Sequence, residues 1–504
     1  MDREEQDSRP ESDERVTGED EAPEGADAAS RQRGTKVFLG TVLHFTDDPW
    51  VPGHEGEDDP EAYHLHDPGA LVVRDGLVVW AGDLDACPRE FVDHGHVVDH
   101  RGCLIVPGFV DPHIHSGQVD SIASPGGQLL PWLRDYMYPA EMKFSDPDYA
   151  RAATAFFLDR LLESGTTTAC VFTTTHPQAT DAFFTEAHLR RLRMVSGKLL
   201  MDDDNGGTVP KDYLDRSVEE AEEESRRLIG KWHHTGRLRY AVSPRFALTS
   251  TVAALRMAGN LYQEARHTDR PLWVQSHLAE NLDEVNRTVE KFKELKPRSY
   301  LDVYDKCGLV GPRNMWGHSV WIDDADRYLL ADSQAGVAFN PTSNFFLGSG
   351  LFDLDRAGHA RVRVGLGTDV GGGTSYSMLQ TMNEAYKVVA LANTFPKHLE
   401  EKDRKTLTAL RAFYLATLSG ARALHLDEHI GSFQRGREAD FVVLDWAATP
   451  LLKRRTEAAR TFRERLFALA TLGDDRAVKQ TYVLGEPARP GRQSSDSAPS
   501  PWGR

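Results

Sequence analysis

The sequence predicts a (β/α)8 barrel of the TIM type joined to a small β-sandwich made from both chain ends, and three observations predict it. Between about Gly108 and Asp427, short apolar runs with strand character alternate with stretches of helical periodicity, as βα units do. The segments PGFVDPHIH, SPRFALTS, VQSHLAEN, WGHSV and GLGTDVGGG each join a short apolar run to polar residues able to bind a metal or move a proton. A parallel barrel presents such groups at the C-terminal ends of its strands. Outside this region, stretches rich in β-forming residues occur at both ends and look alike.

Taken in chain order, residues 1–34 contain twelve Asp or Glu and five Arg, with hardly any large apolar side chain. Such a segment cannot bury enough surface to order itself and is expected to be a disordered tail. Residues 35–107 then supply TKVFLGTVLHF, GALVVRDGLVVWAG and HVVDHRGCLIV, which GREADFVVLD and AVKQTYVLGEPA in 428–488 are expected to join in one composite β-sandwich. Within 108–427 the eight candidate barrel strands are IVPGFVDPH, TTTACVF, RMVSGKLLM, RLRYAVSP, RPLWVQSH, NMWGHSV, AGVAFNP and RVRVGLGTD. DYARAATAFFLDRLLESG and SVEEAEEESRRLIGKW show helical spacing with charged faces outward, so the acidic run Glu219 to Glu224 reads as a solvated face. The Pro-, Ser- and Gly-rich residues 489–504 read as a second disordered tail.

Composition narrows the possible functions. The 504 residues carry a formal net charge of −18, and such a surface repels phosphate backbones, so nucleic acid is not an expected partner. No run approaches the roughly 18 apolar residues that a membrane-spanning helix needs. Cys87, Cys103, Cys170 and Cys307 are too widely spaced for a CxxC pair or a dense disulfide framework, and the acidic N-terminal stretch lacks the apolar core of a signal peptide. A soluble protein of the cytoplasm is the resulting expectation.

The candidate chemistry lies at the strand ends. His113 and His115 are two residues apart on a strand, so both point to one side and can grip one ion. Two other HxH pairs, His64/His66 and His94/His96, do not close such a strand and are expected to be exposed loop residues. His277 ends RPLWVQSH with Glu280 three residues on, which pairs a ligand with a general acid/base. Asp369 can ligate the metal and accept a proton from its water, and His318 can orient the resulting nucleophile. The run Gly371 to Gly373 lets the chain turn tightly; it lacks the GxxxxGK[ST] of a phosphate loop.

Together with PWLRDYMYPAE, SPRFA, SYLDVYD, NPTSNFFLGSGLFD, GTDVGGGTSYSMLQTMNEAYKV and EADFVVLD, these segments resemble the amidohydrolase superfamily and, within it, its guanine deaminases. The resemblance runs from about residue 36 to 487. It implies metal ligands at His113, His115, His277 and Asp369, one zinc ion per chain, His318 beside the attacking water and Glu280 as proton shuttle. It further implies that Gln118, Arg245 and Phe246 contact the purine, with Trp132 nearby, and that the chain is a homodimer acting on guanine. On that reading, Arg245→Ala should harm guanine turnover far more than metal binding or stability.

Two departures stand out. Where the family pattern has His-Cys-Pro on the seventh strand, this chain has Phe339, Asn340 and Pro341, which puts the pocket wall in question. Lys198 lies on the third candidate strand, where dinuclear relatives use a lysine to bridge two metals. The rival readings are therefore another deaminase of the superfamily or a dinuclear cyclic-amide hydrolase of the hydantoinase or dihydroorotase kind, followed by a binding protein that kept the barrel without its catalysis. The cysteine-ligated deaminases are excluded because their combination of H-x-E with P-C-x-x-C is missing, no two cysteines here being spaced as C-x-x-C.

Overall fold

The computed structural model describes residues 34–50, 58–395, 404 and 406–488. Apart from Gly34, both expected tails lie outside the described residues. Strands β1 (Thr35–Phe45), β2 (Tyr63–Arg74), β3 (Leu77–Asp83) and β4 (His96–Pro107) come from the N-terminal part of the chain. β5 (Phe109–His115), β6 (Thr166–Phe172), β7 (Arg193–Gly197), β8 (Leu199–Leu200), β9 (Arg239–Pro244), β10 (Trp273–Leu278), β11 (Asn314–His318), β12 (Gly336–Phe339) and β13 (Arg363–Leu366) follow. The chain ends with β14 (Phe441–Asp445), β15 (Val478–Val483) and β16 (Glu486–Pro487).

Strands from the two ends form one seven-stranded mixed sheet in the order β16-β15-β14-β4-β1-β2-β3. The junction between the ends is the antiparallel pair β14 and β4, with Val443 opposite Ile105. Side chains alternate across this sheet as the period of two requires. Phe38, Val42, Ile105, Phe441 and Val443 pack together on one face, while Leu43, Phe45, Leu104, Val106 and Leu444 join the main core shared with the barrel.

The expected first barrel strand is divided by the structure. Ile105 to Pro107 end β4 in the terminal sheet, and the barrel strand β5 starts at Phe109. Gly108 sits at the crossing, where a Cβ would stand 2.2 Å from Thr167 Oγ1, so only glycine lets the chain pass.

The barrel strands run in the order β5-β6-β7-β9-β10-β11-β12-β13, and neighbours in that order pair in parallel. RMVSGKLLM is broken into β7 and β8 with Lys198 between them, and β8 pairs with β9. Just beyond β13 the chain returns to β5, where Asp369 N–H donates to His113 O and His115 N–H donates to Val370 O, each at 2.9 Å. Those two bonds join the first strand to the last and bring Asp369 beside the two histidines.

Helices follow the strands as the periodicity predicts. Pro147–Glu163 is capped by Asp146, whose side chain accepts from the Asp148 and Tyr149 amides. Val218–Trp232 starts at Ser217, whose hydroxyl accepts from Glu220 N–H, and buries Ala221, Ser225, Leu228 and Trp232 at spacings of three and four. Its acidic run is only partly solvated: Glu219 and Glu223 are exposed, but Glu224 lies 3.4 Å from the buried Lys198 ammonium. The other HxH histidines also sit in elements rather than loops. His64 and His66 lie on β2, His94 ends the helix Arg89–His94 and His96 opens β4. His66 is half-buried and bonds Asp83 at 2.8 Å, while the other three are exposed as expected.

All four cysteines are buried and free. Among the described residues no helix is long and apolar enough to cross a membrane.

Candidate active site

Four side chains at three strand ends converge inside the barrel mouth. His113, His115, His277 and Asp369 each offer one ligand atom, and these atoms lie within 4.8 Å of one another. His113 Nε2 and His115 Nε2 are each 3.2 Å from Asp369 Oδ1, and His277 Nε2 is 3.2 Å from His115 Nε2. A tetrahedral ion with bonds of about 2.1 Å spaces its ligand atoms roughly 3.4 Å apart, so this set fits one zinc-like ion.

Local structure places the candidate ligands. The Nδ1–H of His277 donates to the backbone carbonyl of Arg245 at 2.7 Å, which leaves Nε2 free to ligate. Gly317 admits His113, since a Cβ there would stand 2.3 Å from the imidazole. Ala279, His318 and Asp369 all adopt positive φ (48°, 67° and 51°) just past the strand ends. Each such non-glycine conformation costs on the order of 1–3 kcal/mol, and such strain gathers at functional sites.

Burial keeps the imidazoles neutral, as metal binding requires. Burial lowers the His113 and His277 pKa values, and lowers that of His115 to about 4 against the pull of Asp369. Burial opposes ionisation of Asp369, yet His113, His318 and the bonds from His113 and His115 hold it well below the usual carboxylate range.

Glu280 and His318 stand beside the four candidate ligands. His318 Nε2 lies 3.5 Å from Glu280 Oε2 and 3.5 Å from Asp369 Oδ2, and its Nδ1–H donates to Asn344 Oδ1 at 2.9 Å. Burial, then the negative Asp369, push Glu280 up to about 8, while Ser349 donates to its Oε1 at 2.8 Å. A carboxyl that holds a proton near neutrality suits general acid/base work. Glu284 accepts from the Glu280 and Asn281 amides at 3.0 and 3.2 Å and so fixes the loop that carries Glu280.

The remaining candidates line the same cavity: Gln118, Trp132, Arg245 and Phe246 stand with His115, His277, Glu280, His318 and Asp369. His113 is fully buried behind them. Trp132 and Phe246 belong to an apolar cluster with Leu129, Leu133, Tyr138 and Leu347, so they are core residues and cavity wall at once.

Sequence reasoning gave no role to Glu141, Tyr213, Asn344, Ser349 or Glu284. Glu141, Asn344 and Ser349 fall within stretches already singled out, and a polar residue in an otherwise apolar run was the available signal. Phe339 and Asn340 do not line the cavity. Phe339 stacks on Phe352 in the core, and Asn340 precedes the helix Pro341–Phe346 that carries Asn344 to His318. Lys198 points its charge elsewhere, bonding Asp215 and lying near Glu224.

The model of the family described as "Amidohydrolase family" matches residues 104–488. A guanine deaminase of Escherichia coli (strain K12) is 43% identical over 434 residues, covering 85% of this chain and 93% of its own. The crystal structure of guanine deaminase from Bradyrhizobium japonicum matches with a TM-score of 0.83 at 36% identity, covering 90% of this chain and 99% of that one. The guanine deaminase of C. acetobutylicum, solved with guanine bound in its active site, matches with a TM-score of 0.79 at 27% identity, covering 90% and 100%.

Proposed function

This chain belongs to the amidohydrolase family, among its guanine deaminases, and from that premise we propose that it hydrolyses guanine to xanthine and ammonia with one zinc ion per chain. The observation that carries the reading is the convergence of His113, His115, His277 and Asp369 beside Glu280 and His318 in a cavity walled by Gln118, Arg245, Phe246 and Trp132.

His113, His115, His277 and Asp369 would hold the zinc, which when bound supplies Lewis acidity and makes water nucleophilic near neutral pH. Asp369 and His318 orient the attacking water toward the purine carbon that bears the amino group. Glu280, whose carboxyl burial and Asp369 push upward, gives its proton to the adjacent ring nitrogen, which makes that carbon electrophilic. It then takes a proton from the attacking water and passes it to the leaving amine, and the second water proton, released as the new carbonyl forms, returns to Glu280, so water is consumed, ammonia departs and the carboxyl is restored. Arg245 donates to the purine carbonyl, Gln118 offers its amide, and Phe246 and Trp132 cover the ring faces. The position of Lys198, bonded to Asp215 rather than to the histidine cluster, favours the mononuclear site over the dinuclear rival.

The test is incubation of zinc-loaded protein with guanine, adenine, cytosine and an s-triazine, following ammonia and product mass. Xanthine formed in preference to every other product supports the assignment. Ammonia released from another substrate with no xanthine overturns it.

A further inference from the structure

The wall of the cavity is organised by a carboxylate that sequence reasoning gave no role. Glu141 is completely buried in the short helix Tyr138–Met142 and does not itself line the cavity. Its Oε2 accepts from Arg245 Nη1 and from the Tyr213 hydroxyl, both at 2.6 Å, and its Oε1 accepts from Gln118 Nε2 at 2.8 Å. The other end of the Gln118 amide is fixed as well, since Gln118 Oε1 accepts from Gly371 N–H at 3.0 Å. The Arg245 guanidinium also rests over the Tyr138 ring at 5.2 Å.

We infer that Glu141 is a positioning residue that sets substrate choice, by clamping Arg245 and Gln118 together as one rigid donor pair aimed at a purine bearing a carbonyl oxygen. The inference rests on the proposed guanine reading and deepens it. A buried guanidinium held by a single flexible side chain could swing to meet several ring patterns. Fastened to Glu141, with that carboxylate itself fastened by Tyr213, it presents its remaining donors in one place. A ring lacking an acceptor there strands those donors, and stranded buried polar groups are what make such sites discriminate. Gln118 shares the clamp and also ties it to Gly371, two residues from Asp369, so the choice of ring and its placement over the reacting centre are set by one connected network.

The experiment compares guanine with 2-aminopurine, which keeps the reacting amino group but lacks the carbonyl. Specificity constants are measured for the zinc-loaded wild type and for Glu141→Gln. The wild type should prefer guanine. Glu141→Gln should narrow that preference by about tenfold or more, the scale of one hydrogen bond to a charged group, chiefly through a higher KM for guanine. A residue with a merely structural role would lower both substrates by the same factor, and that result, or an unchanged preference, overturns the inference. Tyr213→Phe removes one bond to Glu141 and keeps the ring. It should narrow the preference by about two- to tenfold, and it carries the test alone if Glu141→Gln does not fold. A wild type inactive on guanine but active on 2-aminopurine would instead overturn the guanine reading.

Discussion

Arg245→Ala is expected to lose stability as well as guanine turnover, contrary to what the sequence alone suggests. Arg245 and Glu141 are both essentially excluded from solvent and bonded at 2.6 Å. Burial opposes the charge on each, but each holds the other ionised: Glu141 stays below the usual carboxylate range and Arg245 above the usual guanidinium one. Removing one partner of such a pair leaves an uncompensated buried charge, which costs about 3–5 kcal/mol. That is a large share of the roughly 5–15 kcal/mol that typically separates folded from unfolded chains. The metal ligand should survive, because His277 is oriented by the backbone carbonyl of residue 245 and not by its side chain. Urea unfolding, zinc content and guanine turnover should be measured on Arg245→Ala and on Arg245→Ala with Glu141→Gln. The double variant buries a neutral amide in place of a stranded carboxylate and should regain part of the lost stability while remaining poor on guanine. A single variant as stable as wild type, or a double variant no more stable than the single, would refute the reasoning.

Other outcomes follow from the same geometry. Glu280→Gln should retain zinc and fold but lose about 10²- to 10⁴-fold in turnover, since the amide keeps the shape and cannot shuttle a proton; ammonia release near the wild-type rate removes Glu280 from the mechanism. Lys198→Met should destabilise by about 3–5 kcal/mol, because Asp215 is left buried without its cation, yet keep zinc and guanine turnover; loss of metal from this variant would favour a bridging lysine. His44, lowered to about 3 by burial and then by His64 and His66, is neutral in the folded chain where the unfolded chain is protonated. Its contribution is therefore present above the unfolded value of 6.5 and is lost as pH falls toward about 3. His44→Gln should flatten the pH dependence of urea stability there by up to about 1.4 kcal/mol per pH unit, and an unchanged slope between about pH 4 and 6 contradicts it.

Much of this was legible in the sequence, for identifiable reasons. Strand ends in a parallel barrel are short apolar runs closed by a functional residue, so His113, His115, His277, His318 and Asp369 stood out where hydrophobicity stopped. The divided run around Gly108 was not legible, because a strand leaving one sheet and a strand entering another read as one apolar stretch. Glu141 was hidden for a different reason. Its partners Gln118, Tyr213 and Arg245 lie 23, 72 and 104 residues away, and no local pattern marks a contact of that range. Lys198 was visible on its strand, but only the fold shows that Asp215 and Glu224 claim its charge.

One zinc ion, held by His113, His115, His277 and Asp369, is expected to suffice for guanine deamination. Metal-stripped protein titrated with zinc, while xanthine formation is followed, tests it most directly. Activity should rise linearly and break sharply at one equivalent per chain, with no further gain at two. A break at two equivalents, or no xanthine at any zinc concentration, would contradict it.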